Sequence, residues 1–226
     1  MPTTFFFVRA VVASDLHDQF DYWYSIDRLS WASRIFKCYK TWRGSRALLI
    51  CLALVTAAPA TAQLVNENLL VTLPDGYKVG FSSKKNNLIM NEMVPVAETV
   101  DDWTEMVTVQ VFLGMKGVTP NQFKSRMEGM WTGACANGSS HPIASAVENG
   151  YPATVWLMSC PLNAKTGKPE ITWFKAIQGD DSFYVVQKAF KFEPSKEQVV
   201  RWTGYLKKVT VCDSRLPDRA CPTTRP

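Results

Sequence analysis

A short apolar segment far from the start of the chain limits which residues can form the folded domain. Three basic residues precede an uncharged run at residues 47–58, and small residues follow it at positions 60 and 62. A basic stretch, a short apolar helix and a small-x-small site in this order are typical of a secretory signal peptide. We therefore predict a signal peptide at residues 40–62 that is cleaved between Ala62 and Gln63.

Two other interpretations of this segment fit the sequence less well. A membrane-spanning helix needs about 18 to 20 apolar residues, and this run is shorter. A lipoprotein would need a cysteine directly after the small residues, where Gln63 stands. Residues 1–39 contain four Asp and many aromatic residues, which suits neither a signal nor a transit peptide. We expect residues 1–39 to be a non-native or disordered extension that precedes the true start, and residues 63–226 to be a single exported domain.

The charge of the chain lies largely in this leader. Residues 1–62 hold 7 of the 25 basic and 4 of the 20 acidic side chains, which leaves 18 basic and 16 acidic residues in the domain. A nucleic-acid-binding domain would need a clustered basic face. The sequence therefore predicts no nucleic-acid partner, and after signal cleavage no stable membrane span.

Four cysteines remain in the domain, and an even number in an exported protein favours disulfides in an oxidising compartment. Three pairings are possible. We favour Cys135 with Cys160, which would tie the end of a helix to the end of a strand, and Cys212 with Cys221, which would close a short tail. A zinc site is disfavoured, since the sequence contains no CxxC and the domain has a single histidine. We expect no metal and no cofactor.

The order of apolar patterns predicts the fold class. Short alternating or continuous apolar runs separated by turn residues come first, then a helix with a capping box, then longer strand patterns and a second capped helix. The sequence thus predicts an α+β domain, an antiparallel sheet of about six to eight strands with two main helices packed on it. The predicted strands are residues 69–73, 77–82, 88–94, 105–113, 143–147, 151–160, 170–177 and 182–192, and the predicted helices run to about Ala134 and Lys208.

This order of elements, with the opening LPDGYKVG at residues 73–80 and a late capped helix, resembles the PsbP-like superfamily of secreted or lumenal α+β proteins. The resemblance covers residues 69–211 and rests on element order. It implies a binding or assembly-assisting module, and it transfers no site residue to this chain.

The domain shows no recognisable catalytic set. A serine nucleophile needs a base, and the one histidine, His141, lies in a loop-like Gly/Ser segment beside Ser140. Paired acids at residues 101–102 and 180–181, with Glu105, are the candidates for carboxylate chemistry. Both pairs fall at predicted turns, so we read them as exposed turn residues.

Aromatic side chains beside polar groups are the remaining candidates for binding. Trp103 follows two acids in a turn, and Trp173 shares a strand face with Lys175, which we interpret as a solvent-facing edge. We predict a non-enzymatic periplasmic or secreted protein that binds an envelope protein or a small ligand and assists assembly. The alternatives are an envelope hydrolase that uses carboxylates and a structural envelope component that self-associates.

Overall fold

The structure is a computed structural model that describes residues 5–9 and 64–222, and these residues form one compact unit. The predicted cleavage site between Ala62 and Gln63 lies outside the described residues, and the nature of residues 1–39 stays a prediction. The elements in chain order are β1 (Phe5–Arg9), β2 (Glu67–Thr72), β3 (Tyr77–Lys85), β4 (Leu88–Pro95), β5 (Glu105–Leu113), α1 (Pro120–Ala134), β6 (Ser139–Glu148), β7 (Tyr151–Asn163), β8 (Lys168–Gln178), β9 (Ser182–Phe190), α2 (Lys196–Lys208), β10 (Thr210–Asp213) and a 3₁₀ turn (Pro217–Arg219).

Two antiparallel sheets organise these strands. The larger one has seven strands in the order β3-β4-β5-β9-β8-β7-β6, and the smaller one has the order β1-β2-β10. The predicted α+β class is confirmed, with both main helices at their predicted places. The strands β1 and β10 were absent from the prediction: β1 lies in the residues that were assigned to the N-terminal extension, and the four residues of β10 are too few to show a period.

The two faces of the large sheet bury separate apolar clusters, because side chains alternate along each strand. On one face α1 packs against β7 and β8, and Phe123, Met127 and Trp131 of the helix contact buried residues that include Trp156 and Phe174. On the other face, α2 and the small sheet close over a larger cluster. The large sheet is therefore the central layer of the domain.

Both helices begin at the predicted capping boxes. In α1 the Thr119 hydroxyl accepts a hydrogen bond from the backbone of Gln122, whose side chain in turn bonds the backbone of Thr119. Ser195 and Gln198 form the same arrangement at α2. The core-facing residues of α1, Phe123, Met127 and Trp131, follow a spacing of four. Met130 falls beside that stripe and is 56% exposed.

Both predicted cysteine pairs lie at disulfide-bonding distance. Cys135 at the end of α1 bonds Cys160 in β7, with an S–S distance of 2.04 Å. Cys212 in β10 bonds Cys221, with an S–S distance of 2.05 Å. The first bond fastens α1 to the sheet, and the second fastens the C-terminal tail to the small sheet. Among the described residues no helix is both long and apolar enough to cross a membrane.

A buried carboxylate connects the small sheet to the large one. Glu67 of β2 is fully buried and accepts hydrogen bonds from the backbone amides of Asp180, Asp181 and Ser182 and from the hydroxyl of Tyr184. Burial raises the pKa of the Glu67 carboxyl, and these hydrogen bonds oppose that rise. The carboxylate thus fixes the turn between β8 and β9. No local pattern in the sequence predicts this contact, which spans more than a hundred residues.

Candidate functional site

Helix α1 covers only part of its side of the large sheet, since its main contacts are with β7 and β8. Burial alternates along part of the neighbouring strands. In β4, Ile89, Asn91 and Met93 are buried, whereas the residues between them are half-buried. In β5 the same alternation runs from Val107 to Phe112. Val94 and Met106 lie on the side of the half-buried residues but are buried, and they mark one end of the uncovered part. We call the exposed and half-buried set on this side of β3, β4 and β5 the open face: Phe81, Ser83, Leu88, Met90, Glu92, Thr108, Gln110 and Phe112.

Strand register places the open-face residues side by side. Met90 lies between Ser83 of β3 and Gln110 of β5, and the next pair along β4 joins Leu88 to Phe112. Phe112 also contacts Phe123 of α1, with ring centroids 5.8 Å apart. The open face is therefore a continuous surface that ends at the flank of α1.

Fixed amide groups cross the open face. The Gln187 side chain of β9 donates a hydrogen bond to the Gln110 carboxamide oxygen at 3.0 Å. The Gln110 amide in turn donates to the sulfur of Met90 at 3.8 Å. Because each amide orients the next, this row presents its polar groups in one arrangement. Preoriented polar groups among apolar side chains are typical of a binding surface.

The carboxyl of Glu92 lies among these residues. It stands opposite Phe81 of β3 and Thr108 of β5. Burial raises its pKa from the ordinary value, because desolvation disfavours the charged form. A partner that neutralises or hydrogen-bonds this carboxylate would relieve that cost.

A cleft of about 510 Å³ opens at the α1 end of the open face. Its apolar lining comes from Leu88, Phe112, Leu113 and Met115, and its rim contains Lys85 and the amides of the β3–β4 turn. The backbone amide of Leu113 donates to the Asn87 carbonyl at 2.8 Å, which ties this turn to β5. The cleft is wide open to solvent, so it forms a shallow hollow in the surface.

The two tryptophans that the sequence singled out lie elsewhere. Trp173 is 6% exposed and packs edge-on against Phe190, with centroids 5.8 Å apart. Trp103 is half-buried, and the ammonium of Lys191 lies 3.9 Å from its ring centre. Neither belongs to the open face. A binding role for Trp103 and Trp173 stays a prediction, and the burial of Trp173 leaves its ring covered by core residues.

The predicted solvent edge beside Trp173 is wrong. Lys175 is 1% exposed. Its ammonium pairs with the Glu148 carboxylate and donates to the carbonyls of Leu206 and Val209 at 3.1 and 2.8 Å. These carbonyls end α2, so the lysine supplies positive charge at the negative end of the helix dipole. Sequence alone could not reveal this, since a lysine in a strand is normally solvated.

A second buried lysine lies beneath the start of α2. The Lys188 ammonium contacts the Glu105 carboxylate at 2.7 Å and the Tyr77 hydroxyl at 2.8 Å. The ring centres of Trp202 and Phe190 lie 3.9 and 4.3 Å from it. Burial lowers the pKa of Lys188 to about 8, while Glu105 opposes the shift. The pKa of Glu105 is lowered: its own desolvation acts upward, but the Lys188 and Tyr77 hydrogen bonds outweigh it.

The other candidate acids have structural partners or lie in loops. Asp180 accepts from Arg219 at 3.0 Å, and Asp181 accepts from Arg215 at 2.7 Å. Asp101 and Asp102 are exposed in the loop before β5. Neither the open-face cleft nor a smaller one beside α1 is lined by two acids. Among residues 5–9 and 64–222, no group of three or more His, Cys, Asp or Glu side chains is placed to bind a metal.

The histidine meets a serine, but a different one from its sequence neighbour. The Ser139 hydroxyl lies 3.1 Å from His141 Nε2 and 2.8 Å from the Ser159 hydroxyl. Residues two apart on a strand share a face, which explains why Ser139 rather than Ser140 approaches the ring. The contact is exposed on a sheet edge, and we assign it no catalytic role.

Comparison with known proteins finds solved structures that are similar at low sequence identity. No family model and no curated protein matches the sequence. The Ran-binding protein Mog1p of Saccharomyces cerevisiae has a similar structure, with 11% identity and a TM-score of 0.37, over 61% of this chain and 78% of Mog1p. LpqN, involved in cell envelope biogenesis of Mycobacterium tuberculosis, has 10% identity and a TM-score of 0.37, over 66% of this chain and 86% of LpqN.

At this level of similarity the two proteins carry no argument about the function of the chain. Membership of the PsbP-like superfamily likewise stays a prediction. The fold and the site define a disulfide-containing α+β domain in which α1 leaves part of one sheet face uncovered.

Proposed function

We propose that this chain is a non-enzymatic binding protein of an exported compartment, and that it binds a partner protein on the open face. The observation that carries the proposal is the uncovered sheet surface on β3, β4 and β5. Its exposed and half-buried side chains include Phe81, Leu88, Met90 and Phe112. A sheet face that only contacts solvent would carry polar side chains instead.

The chemistry of this surface favours a protein over a small molecule. Aromatic residues and Met are enriched at the centres of protein interfaces, and polar groups surround them. The open face has this composition, with amides of Gln110 and Gln187 beside Met90. The adjoining cleft is large enough to receive an apolar side chain of the partner, which is how the energetically dominant residues of an interface are usually buried.

Export is supported by the signal-peptide pattern and by the two disulfides, because disulfides persist in oxidising compartments. The carboxylate-hydrolase alternative has less support. Glu105 is committed to Lys188 and Tyr77, and the acids of the β8–β9 turn are paired with arginines.

Site-specific photocrosslinking tests the proposal in cells that express the full-length chain. A photoreactive amino acid replaces Ser83 on the open face or, as the matched control, the exposed Val200 on α2. We expect a discrete protein adduct from position 83, which weakens when Met90→Arg is added, and no such adduct from position 200. Equal adducts from both positions, or a small-molecule adduct at position 83, would contradict binding of a partner protein there.

A further inference from the structure

Strand β1 of the small sheet lies outside the predicted exported domain. Phe5–Arg9 pairs antiparallel with β2 over five consecutive residues. Signal cleavage between Ala62 and Gln63, which the signal-peptide pattern predicts, separates β1 covalently from the domain that contains β2. The edge of β2 that β1 occupies is then vacant, and among the described strands only β10 remains beside β2.

The vacated edge of β2 carries backbone groups that point outward. The Val211 carbonyl of β10, opposite Leu69, accepts a hydrogen bond from the Asn149 side chain at 2.7 Å, so it points away from β2. Opposed residues of an antiparallel pair either exchange backbone hydrogen bonds or both point away from each other. Leu69 therefore directs its N–H and C=O to the β1 side, and Val71, two residues on, does the same. Without β1 these groups have no backbone partner among the described strands.

Contacts on its other sides hold β2 in place without β1. The Glu67 carboxylate is bonded to the turn between β8 and β9, and β10 pairs with residues 67–70. Leu69 and Val71 are 0% and 3% exposed and belong to the core cluster that α2 covers. A segment that binds this edge meets a strand that is already ordered, which lowers the entropic cost of binding.

The sequence of β2 does not oppose pairing with another strand. Natural edge strands are usually blocked by lysines, prolines or bulges. The outer strand β3 carries Lys78, Lys84 and Lys85 and a bulge, and β6 carries Pro142 and a bulge after it. Residues 68–72 contain neither lysine nor proline, and their register with β1 has no shift. Of these three edges, the edge of β2 is the one that is suited to accept a strand.

We propose that the vacated edge of β2 binds an extended segment of a partner protein, which joins the small sheet as an antiparallel strand. The structure already holds one such segment, since β1 is a mainly apolar run, FFFVR, in this position. In strand addition, backbone hydrogen bonds supply the affinity and alternate side chains supply the selectivity. The positions opposite Leu69 and Val71 adjoin the core, so we expect apolar residues there. In β1 these two positions are Val8 and Phe6.

This site is separate from the open face, which lies on the large sheet. It rests on the export in the proposed function, because the edge of β2 is vacant only in the processed chain. Mass spectrometry of the protein purified from the exported fraction of cells that express the full-length chain tests this condition, and we expect a chain that begins at Gln63. Residues 5–9 retained in the chain, or as a bound fragment, would overturn the proposal. The crosslink from position 83 reports on the open face independently.

Titration of this processed protein with a labelled peptide of residues 3–11 tests the binding edge. We expect saturable binding. A peptide that is N-methylated at Phe6 and Val8 should bind at least about tenfold more weakly, because it lacks the two N–H groups that face β2. The matched control, N-methylated at Phe5 and Phe7, should bind like the unmodified peptide. Absence of saturable binding, or an equal loss with both methylated peptides, would overturn the proposal.

A cysteine trap tests the register, in which Phe5 lies opposite Thr72. Opposed strand residues have Cβ atoms about 4.5–5.5 Å apart, close enough for a disulfide after small adjustment. We expect a Phe5→Cys peptide to form a disulfide with the Thr72→Cys protein under mild oxidation. The matched control is Thr108→Cys, at a half-buried strand threonine of the open face, which should form no adduct. Circular dichroism spectra equal to that of the native protein verify that both variants are folded. Equal adducts with both variants, or an adduct with Thr108→Cys alone, would refute binding at the β2 edge.

Discussion

Replacing Glu105 by Gln removes the charge that neutralises Lys188. The lysine is fully buried, so the variant has to bury an unpaired cation or bury a neutral amine. Breaking a buried ion pair by removing one partner typically costs about 3–5 kcal/mol. Because the pKa of Lys188 is about 8 in the folded protein, releasing its proton at pH 7 costs only about 1.4 kcal/mol, and this alternative limits the loss.

Two features of the structure also stabilise the ammonium if it stays charged. The rings of Trp202 and Phe190 lie within 4.3 Å of the ammonium, and cation–π contacts of this kind contribute about 1–2 kcal/mol. The Tyr77 hydroxyl remains as a hydrogen-bond partner at 2.8 Å. We therefore expect Glu105→Gln to lower the free energy of unfolding by about 1–2 kcal/mol at pH 7.

Urea denaturation with a double-mutant cycle measures this effect. In Lys188→Met the remaining Glu105 carboxylate keeps Tyr77 and Gln198 as hydrogen-bond donors. The double variant has no charge left in the pair, so its loss of unfolding free energy should be smaller than the sum of the two single losses by about 1 kcal/mol. The matched control is Glu128→Gln, which breaks the surface pair with Lys124 and should cost under about 0.5 kcal/mol. Additive losses, or a Glu105→Gln loss as small as that of the control, would refute the reasoning.

Two further predictions concern pH and the disulfides. In the folded chain Lys188 releases its proton near pH 8, whereas the unfolded chain retains this proton to about pH 10.5. Between these pH values the Lys188 contribution to the free energy of unfolding should therefore rise. Above about pH 10 the raised pKa of Tyr77 should reverse the trend. Urea midpoints from pH 7 to 10 measure this, and Lys188→Met should abolish the rise. Replacing both Cys135 and Cys160 by Ser should cost about 3 kcal/mol, because their bond closes a loop with a sequence separation of 25; a thermal midpoint equal to that of the native protein would contradict it.

Local patterns in the sequence were sufficient to predict most of the secondary structure. The capping boxes at Thr119 and Ser195 lie within three residues of their partners, and alternation extends over whole strands. The turn between β6 and β7 has Asn149 and Gly150 at φ 48° and 79°, the positive angles that an Asn-Gly hairpin turn requires. Such features depend on neighbours along the chain, so they can be recognised without the fold.

The site and the buried charges depend on contacts that are distant in sequence. Lys175 and Lys188 resemble solvated strand residues until α2 covers them. The open face could not be foreseen from the half-apolar strands alone, because whether Met90 or Phe81 is covered depends on where α1 packs. The order of strands in the sheet determines which strands stay exposed, and this order cannot be read directly from sequence patterns.

The small sheet joins the beginning of the domain to its end. Strand β2, at residues 67–72, pairs with β10, at residues 210–213, and the Ser214 hydroxyl accepts a hydrogen bond from the Asn66 backbone. Pairing of segments this far apart in sequence is slow and cannot begin until both have been synthesised. The chain therefore lacks its complete native structure while its last residues are still in the ribosome, because the small sheet that joins its two ends has not yet formed.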